Sequence, residues 1–343
     1  MIIDCHGHYT TAPAQHEGWR KQQIDAGGDG KAMRGNEAPV ITDDEIRESL
    51  ENTQLRLQRE RGTDLTIFSP RAGGMGHHLG TAEMSRQWAR ICNDLIKRVC
   101  GLYPRNFAPV CQLPQSPGVS PSTCIPELVR CVEELGFIGC NLNPDPSGGY
   151  WTDPPMTDPW WFEFYEKLEE LDVPAMIHVS QSCNPNFHFT GAHYINADTA
   201  IFMQLLKSDL FIRFPRLRLI IPHGGGAVPY HWGRYRGIAI DMKRPEPALL
   251  MGDNLFFDTC VYHQPGIDLL AGVVPVDNIL FASELHGAVR CKNPDTGRFF
   301  DDTRQYIEAN TGLGAEDKEK IYWKNALKVF KRLKLNEQGD TPA

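Results

Sequence analysis

Eight short apolar segments, alternating with stretches of helical periodicity, predict a single (β/α)8 barrel of the TIM type for this 343-residue α/β chain. The segments are rich in β-branched residues, and most are almost continuously apolar, as in strands that are buried on both faces. They span residues 2–5, 65–68, 107–111, 137–141, 173–179, 217–221, 255–258 and 278–281. An open doubly wound sheet is the alternative, but no GxGxxG motif follows the first segment.

Caps and apolar spacing identify the helices between these segments. The sequence Thr42-Asp43-Asp44-Glu45 has the form of a capping box and predicts a helix that continues to about residue 61. Apolar residues at helical spacing over 125–135 precede Gly136, a typical helix stop. Similar spacing predicts helices over 161–171 and 200–207, and an amphipathic, basic C-terminal helix over 316–335.

Two polar segments interrupt the regular alternation. Residues 10–40 follow the first predicted strand, and residues 144–159 follow the fourth; both are predicted to be long loops. In a barrel these loops lie on the C-terminal face, where active sites are built. We therefore interpret residues 1–343 as one barrel domain with these two excursions.

The composition is that of a globular protein, with 41% hydrophobic and 23% charged residues. The net charge of −8 argues against nucleic acid or an anionic membrane surface as the main partner. The sequence lacks both the apolar window of a membrane span and the basic start of a signal peptide. The ten cysteines form no CxxC pair, which predicts a cytoplasmic protein with reduced thiols.

Histidines and one acid stand at the ends of predicted strands. His6-Gly7-His8 directly follows the first strand, and side chains at i and i+2 of an extended chain point the same way. An isolated HxH is weak evidence, because ordinary loop histidines produce the same pattern. However, His178, His223 and Glu284 end the fifth, sixth and eighth predicted strands. Because the strand ends of a barrel meet at one mouth, these five side chains predict a site for a metal or for proton transfer.

This arrangement resembles the amidohydrolase superfamily, in which an HxH follows strand 1, histidines follow strands 5 and 6, and an acid follows strand 8. Further stretches resemble its branch that includes aminocarboxymuconate-semialdehyde decarboxylase and related lyases. They are FPRL at 214–217 with PHGGG at 222–226, ILFASE at 279–284, and IYWKNA at 321–326. The resemblance covers nearly the whole chain. It implies one divalent metal, Zn²⁺ or alternatively Mn²⁺ or another divalent ion, held by His6, His8, His178 and Glu284.

One departure from the branch affects the predicted reaction. The decarboxylases usually carry Asp in a Gly-Ser-Asp motif after strand 8, whereas this chain has Ala282-Ser283-Glu284. Because Glu is one methylene longer, we expect it to bind the metal, to reach a water, or both. The resemblance then implies a hydratase of bacterial aromatic catabolism, with a metal-dependent non-oxidative decarboxylase as the alternative. Asn141-Leu142-Asn143 offers no lysine for a carbamylated binuclear centre.

Adding water to a double bond conjugated to a keto acid requires a base that activates water and an acid that protonates the other carbon. Glu284 is the predicted base, and Tyr194 and His223 are the candidate acids. Tyr194 lies in the long loop after His178, where packing of its ring is an equal alternative. A lactone or amide hydrolase and a non-catalytic metal- or carboxylate-binding protein are more distant alternatives.

The small-molecule substrate implied by the resemblance has three carboxylates, so cationic anchors are expected. Arg71, Arg234 and Arg290 follow the second, sixth and eighth predicted strands, and guanidinium groups bind carboxylates in a bidentate way. Each arginine taken singly is also typical of a surface ion pair. His77, in a glycine-rich loop, is a further candidate substrate contact. No nucleic-acid or membrane partner is expected, and a homo-oligomer, a dimer or larger, is predicted.

Overall fold

The strands run parallel and form two neighbouring sheets, with the orders β1-β2-β3 and β4-β5-β6-β7-β8-β9. The structure, a computed structural model, describes residues 1–27, 38–189 and 191–335. The strands are β1 (Ile3–Tyr9), β2 (Leu65–Pro70), β3 (Phe107–Pro109), β4 (Cys111–Gln112), β5 (Cys140–Leu142), β6 (Ala175–Ile177), β7 (Leu219–Ile221), β8 (Leu255–Asp258) and β9 (Ile279–Leu280).

The nine strands of the described residues match the eight predicted segments, because the third segment forms two strands, β3 and β4, which Val110 separates. The Val110 N–H donates to the carbonyl of Phe68 at 2.9 Å, while the Cys111 N–H donates to that of Gly139 at 3.0 Å, so the chain passes here from one sheet to the other. At the opposite seam, the Cys5 N–H donates to the carbonyl of Phe281 at 2.9 Å and joins the last strand to the first. The predicted (β/α)8 barrel is confirmed.

Alternate strand residues separate into two apolar clusters, as the two-residue period of a strand requires. One cluster, which includes Phe68, Ile177 and Phe257, lies between the strands and the surrounding helices. The other fills the lower half of the barrel interior, and we call it the barrel floor. It comprises Ile3, Cys5, Leu65, Ile67, Ala108, Val110, Ile138, Met176, Ile220, Phe256 and Leu280, closed from below by Ala326, Val329 and Phe330.

A bulge in β1 places its histidines in the upper half of the interior, which we call the mouth. Asp4 pairs with Thr66, but the next registered pair is Gly7 with Phe68, so β1 carries one extra residue. The extra residue shifts the alternation, and Cys5 can therefore lie in the floor while the adjacent His6 reaches the site above it. Gly7 is required here, because a Cβ would lie 2.3 Å from the Thr66 methyl.

The helices mostly surround the strands. They are α1 (Ala14–Gly27), α2 (Asp43–Glu51), α3 (Gln54–Glu60), α4 (Ala82–Leu102), α5 (Ile125–Val129), α6 (Phe162–Leu171), α7 (Gly191–Leu206), α8 (Leu210–Arg213), α9 (Trp232–Asp241), α10 (Pro247–Met251), α11 (Gln264–Val273), α12 (Arg304–Ala309), α13 (Ala315–Glu319) and α14 (Asn325–Val329). The capping box is confirmed, because the Glu45 N–H donates to Thr42 Oγ1 at 3.2 Å and the Thr42 N–H donates to Glu45 Oε2 at 2.7 Å. The predicted helix over 42–61 is nevertheless two helices, divided at Thr53. No helix in the described ranges is both long and apolar enough to cross a lipid bilayer.

Three predicted boundaries were wrong. The helix predicted over 200–207 is α7, which begins at Gly191, so Tyr194 lies in a helix and not in the long loop after His178. The excursion at 10–40 contains helix α1, whose polar composition hid it from the sequence pattern: its buried residues are Trp19, Arg20 and Gln23. Residues 28–37 of that excursion lie outside the described ranges. The C-terminal helical segment ends at Val329 rather than 335, because Phe330 leaves the helical conformation and packs into the floor. Before Pro159, the excursion at 144–159 is irregular as predicted. The single-domain interpretation stays a prediction.

Candidate active site

Four side chains converge at the mouth of the barrel. His6 and His8 lie on β1, His178 directly follows β6, and Glu284 follows β9. All four are buried, and one potential ligand atom of each lies within 4.8 Å of the others. The Nε2 atom of His8 is 3.0 Å from His6 Nε2 and 3.2 Å from His178 Nε2.

The opposite nitrogen of each of these rings meets a hydrogen-bond partner. His6 Nδ1 lies 2.8 Å from Asp258 Oδ2, and His178 Nδ1 lies 2.8 Å from the carbonyl oxygen of the following residue. His8 Nδ1 lies 2.7 Å from the hydroxyl of Ser69, which itself is within 3.2 Å of the Gly7 carbonyl. These acceptors hold the proton on Nδ1 and direct the Nε2 lone pair inward.

Three inward lone pairs at such short range repel one another unless a cation lies between them. Burial lowers the pKa of His8 and of His178 well below the ordinary value, so both rings are neutral, as metal ligands must be. Three imidazole nitrogens and one carboxylate oxygen form a donor set that suits a divalent ion. The residues at the mouth therefore fit a metal site.

His223 stands beside this cluster. Its Nδ1 lies 2.8 Å from Asp198 Oδ2 on α7, and its Nε2 lies 4.0 Å from Glu284 Oε2. Burial lowers the pKa of His223, but the charge and hydrogen bond of Asp198, with Glu284 and Asp258, outweigh it and raise the pKa to about 9. His223 Nε2 is buried without a hydrogen-bond partner among the described residues.

The backbone after β7 is shaped to present His223. Gly224, Gly225 and Gly226 all have positive φ, and so does His223 at +53°. A Cβ on Gly225 would lie 2.5 Å from the Phe257 ring, so only glycine allows this close approach. The glycine run in the sequence therefore serves the turn that carries the histidine.

Two residues position Glu284. The Tyr262 hydroxyl lies 3.0 Å from Glu284 Oε2 and donates to it. Asp4 Oδ1 accepts hydrogen bonds of 3.1 Å from the His6 and Ser283 N–H groups, and Asp4 Oδ2 accepts a further one from the Ser283 hydroxyl. Asp4 thus ties the β1 histidines to the segment that carries Glu284.

Sequence reasoning missed most of these supporting groups. Asp258 ends a predicted strand, so the same strand-end rule that found His178 would have found it. Asp198 and Tyr262 lie within a helix and a loop, and nothing in the local sequence indicates that they meet the site.

A cavity of about 90 Å³, which we call the active-site cavity, opens above the candidate metal ligands. His8, His178, Glu284 and Tyr194 line it. The Tyr194 ring stacks on His223, with centroids 4.6 Å apart and an interplanar angle of 19°. Both candidate acids are thus held together next to Glu284.

The four predicted substrate contacts divide into two pairs. Arg71 and Arg290 line the active-site cavity. His77 is buried outside it, with Nδ1 3.1 Å from the Gln115 carbonyl, and Arg234 lies on the exposed side of α9. The structure therefore brings two of the four to the cavity.

Fold and site together define a metal-dependent barrel enzyme of the amidohydrolase type, and the chain belongs to that family. The amidohydrolase family profile matches residues 3–332. The family is metal-dependent, and the histidine and glutamate cluster is the candidate metal site of this chain.

Among its relatives, the 2-keto-4-carboxy-3-hexenedioate hydratase of Sphingobium sp. strain SYK-6 is 57% identical over 341 residues, covering 99% of each chain. The crystal structure of 4-oxalomesaconate hydratase from Rhodopseudomonas palustris is 56% identical, with a TM-score of 0.89 over 97% of this chain and 96% of that one. The gamma-resorcylate decarboxylase of Polaromonas sp. strain JS666 is 25% identical over 306 residues, covering 82% of this chain and 87% of that one. The chain is therefore most like hydratases and only distantly like decarboxylases within this set.

Proposed function

We propose that this chain is a metal-dependent hydro-lyase that reversibly adds water to the double bond of 4-oxalomesaconate, giving 4-carboxy-4-hydroxy-2-oxoadipate. The reaction belongs to protocatechuate 4,5-cleavage in the catabolism of lignin-derived aromatics. The observation that carries the proposal is a pair of proton carriers beside the metal ligands, His223 Nε2 and Glu284 Oε2, 4.0 Å apart. The hydratases that share 57% and 56% identity with the chain support it.

Zn²⁺ is the proposed metal, with Mn²⁺ or another divalent ion as the alternative. His6, His8, His178 and Glu284 would hold it, and their three nitrogens and one oxygen form a common zinc donor set. When bound, such an ion would lower the pKa of a coordinated water to about 7, far below that of bulk water, and would polarise substrate oxygens.

Glu284 is the proposed base. Its carboxylate accepts a proton from water as the water oxygen forms a bond to one alkene carbon. The hydrogen bond from Tyr262 holds Oε2 on the side of the loop after β8, and Glu284 lines the active-site cavity. Asp4 fixes the backbone one residue earlier through Ser283.

His223 is the proposed acid, and it delivers a proton from Nε2 to the other alkene carbon. Asp198 accepts the Nδ1 hydrogen bond, orients the ring and stabilises its protonated form. Tyr194, stacked on the same ring, is the alternative acid. The proton count balances, because Glu284 gains one proton from water and the acid gives one proton to the alkene carbon.

Arg71 and Arg290 are the proposed anchors for the substrate carboxylates, because both line the active-site cavity. His77 and Arg234 were predicted as further anchors. Because neither lines the cavity, the proposal rests on Arg71 and Arg290. We also propose that the protein is cytoplasmic and that residues 1–343 form one domain. It is proposed to assemble as a homo-oligomer, which light scattering after size-exclusion chromatography would test.

The test follows the absorbance of the conjugated keto acid with purified, metal-loaded protein. We expect 4-oxalomesaconate to lose absorbance, a chelator to stop the loss, and added Zn²⁺ to restore it. Failure to observe any metal-dependent loss would contradict the proposal. Release of carbon dioxide, together with retained activity in Glu284→Asp, would instead identify the decarboxylase.

A further inference from the structure

A second and larger cavity adjoins the active-site cavity. It measures about 300 Å³, lies between α1, α4 and the loop after β2, and we call it the side cavity. Thr10, Arg71 and Gln181 line both cavities, so the two are separated by a wall of shared side chains. A ligand of either cavity therefore reaches Arg71.

Arg20 is the unusual group in the side cavity. Its side chain belongs to a residue that is only 5% exposed, and its hydrogen bonds go to neutral acceptors: Gln23 Oε1 at 2.5 Å and the carbonyls of Met75 and Gly76 at 2.9 and 3.2 Å. Its Nε atom is buried and has no partner among the described residues.

No carboxylate of the described residues pairs with Arg20. A buried guanidinium normally has a carboxylate partner, because burial of an uncompensated charge is costly. Burial accordingly lowers the pKa of Arg20 to about 10, which leaves the group charged at neutral pH. The Trp88 ring, 5.5 Å from the guanidinium carbon, supports the cation on one face. An anion in the cavity would supply the missing charge.

The other charges that line the side cavity also favour an anion. Arg71 and Lys21 are cationic, and Glu17 is the one carboxylate among the described lining residues. His16 is neutral, because burial lowers its pKa to about 4. The lining side chains carry three positive charges and one negative charge. Lys21 also forms an exposed ion pair with Asp25 outside the lining, so Arg20 and Arg71 are the charges that favour an anion.

Glu17 is a weak competitor for Arg71. The two side chains form an ion pair of 2.5 Å, but they are 67% and 44% exposed, and such exposed pairs contribute little. An incoming carboxylate can therefore take the place of Glu17 on Arg71 at low cost.

We propose that the side cavity is a second carboxylate-binding site, in which a small polycarboxylate bridges Arg20 and Arg71 before it enters the active-site cavity. The choice of a polycarboxylate rests on the proposed function. Because Arg71 serves both cavities, the side cavity is a holding site on the substrate's path and a determinant of KM.

The experiment uses the metal-loaded full chain and propane-1,2,3-tricarboxylate, which has neither the double bond nor the keto group and is not turned over. Calorimetric titration compares wild type with Arg20→Gln and Glu17→Gln. We expect Arg20→Gln to weaken binding by about tenfold, because a charge-assisted hydrogen bond is lost. We expect Glu17→Gln to tighten it by about threefold, because the competitor is lost.

A matched control removes one positive charge elsewhere. Arg98→Gln breaks an exposed ion pair with Asp43 on the outside of the barrel, and we expect its affinity for the probe to stay within about twofold of wild type. In turnover of 4-oxalomesaconate, Arg20→Gln should raise KM several-fold and leave kcat unchanged. A folded Arg20→Gln that binds the probe like wild type would overturn the inference.

If Arg20→Gln does not fold, the affinity of Glu17→Gln for the probe tests the inference instead. The Glu17 side chain is exposed, so its replacement should not disturb packing. Unchanged affinity in Glu17→Gln would also overturn the inference. A crystal structure with the probe in the active-site cavity alone does the same. The binding assay needs no turnover. If the variants change affinity for the probe but the protein hydrates no substrate, the proposed function is refuted and the second carboxylate-binding site stands. If the protein hydrates its substrate but the variants bind the probe like wild type, only the second binding site is refuted.

Discussion

The floor and the mouth of the barrel are built from the same strands and differ in almost everything else. Met176 of β6 lies in the floor, and His178, two residues on, lies in the mouth; Phe256 and Asp258 repeat the pattern on β8. The floor is apolar and closed by Phe330. The mouth consists of buried imidazoles and carboxylates that hydrogen-bond to one another.

The contrast shows where stability and chemistry are placed. Each large apolar side chain buried in the floor contributes about 1.5–3 kcal/mol to folding, with no requirement for a particular partner. Each buried polar group of the mouth costs about 1–3 kcal/mol unless it finds one. The buried polar groups of the mouth are therefore held by a surrounding layer of hydrogen-bond partners: Asp258, Ser69, Asp198 and Tyr262.

The largest expected effect tests the mouth. Glu284→Gln should lower kcat by about 10³-fold, because the base is lost, while the free energy of unfolding changes by no more than about 1 kcal/mol. Steady-state kinetics and urea unfolding of the metal-loaded protein measure both. Activity within tenfold of wild type would refute the role of Glu284 as base.

The second prediction tests the floor. Phe330→Ala should lower the free energy of unfolding by about 3–5 kcal/mol, because it leaves a cavity under the barrel, and should leave kcat of the folded protein unchanged. Leu249→Ala, at a side chain that is 77% exposed, is the control and should change stability by less than about 0.5 kcal/mol. A large fall in kcat for Phe330→Ala would mean that floor and mouth are not separable.

The third prediction tests the layer behind the mouth. Asp198→Asn should lower kcat by about 10²-fold, because the amide no longer stabilises a protonated His223 or fixes its orientation. KM and metal content should stay near wild type, since Asp198 touches neither the metal ligands nor the cavity. Asp209→Asn breaks an exposed ion pair with Arg244 and should leave kcat unchanged; an equal loss there would point to general destabilisation.

The smallest effect concerns a single hydroxyl. Tyr262→Phe removes the hydrogen bond to Glu284 Oε2 and should lower kcat by about tenfold with little change in KM. Tyr322→Phe removes a comparable hydrogen bond, to Glu308 Oε1 at 2.9 Å, between two residues that do not line the active-site cavity. Stopped-flow absorbance measures kcat of both variants, and Tyr322→Phe should match wild type. Equal kcat values for the two variants would show that the Tyr262 hydroxyl does not support Glu284.

Local pattern was sufficient for the strands and for the side chains at their ends. Apolar runs identified the barrel because strands buried on both faces need continuous apolar sequence. His6, His8, His178, His223 and Glu284 were predicted to converge because parallel strand ends share one mouth, and four of these five form the cluster of potential metal ligands. Helix α1 was missed because its mainly polar composition gives little amphipathic signal.

The sequence by itself thus determined the barrel and the side chains at its strand ends, because buried strands need continuous apolar sequence and parallel strand ends meet at one mouth. The resemblance to the amidohydrolase superfamily implied which four of those side chains would hold a metal. Only the tertiary structure decided which distant residues support them. Asp198, Tyr262 and Asp4 act across contacts of 25, 22 and 279 residues in sequence. It also decided that Arg71 and Arg290 reach the cavity while Arg234 does not, because the direction of a long side chain depends on its packed neighbours.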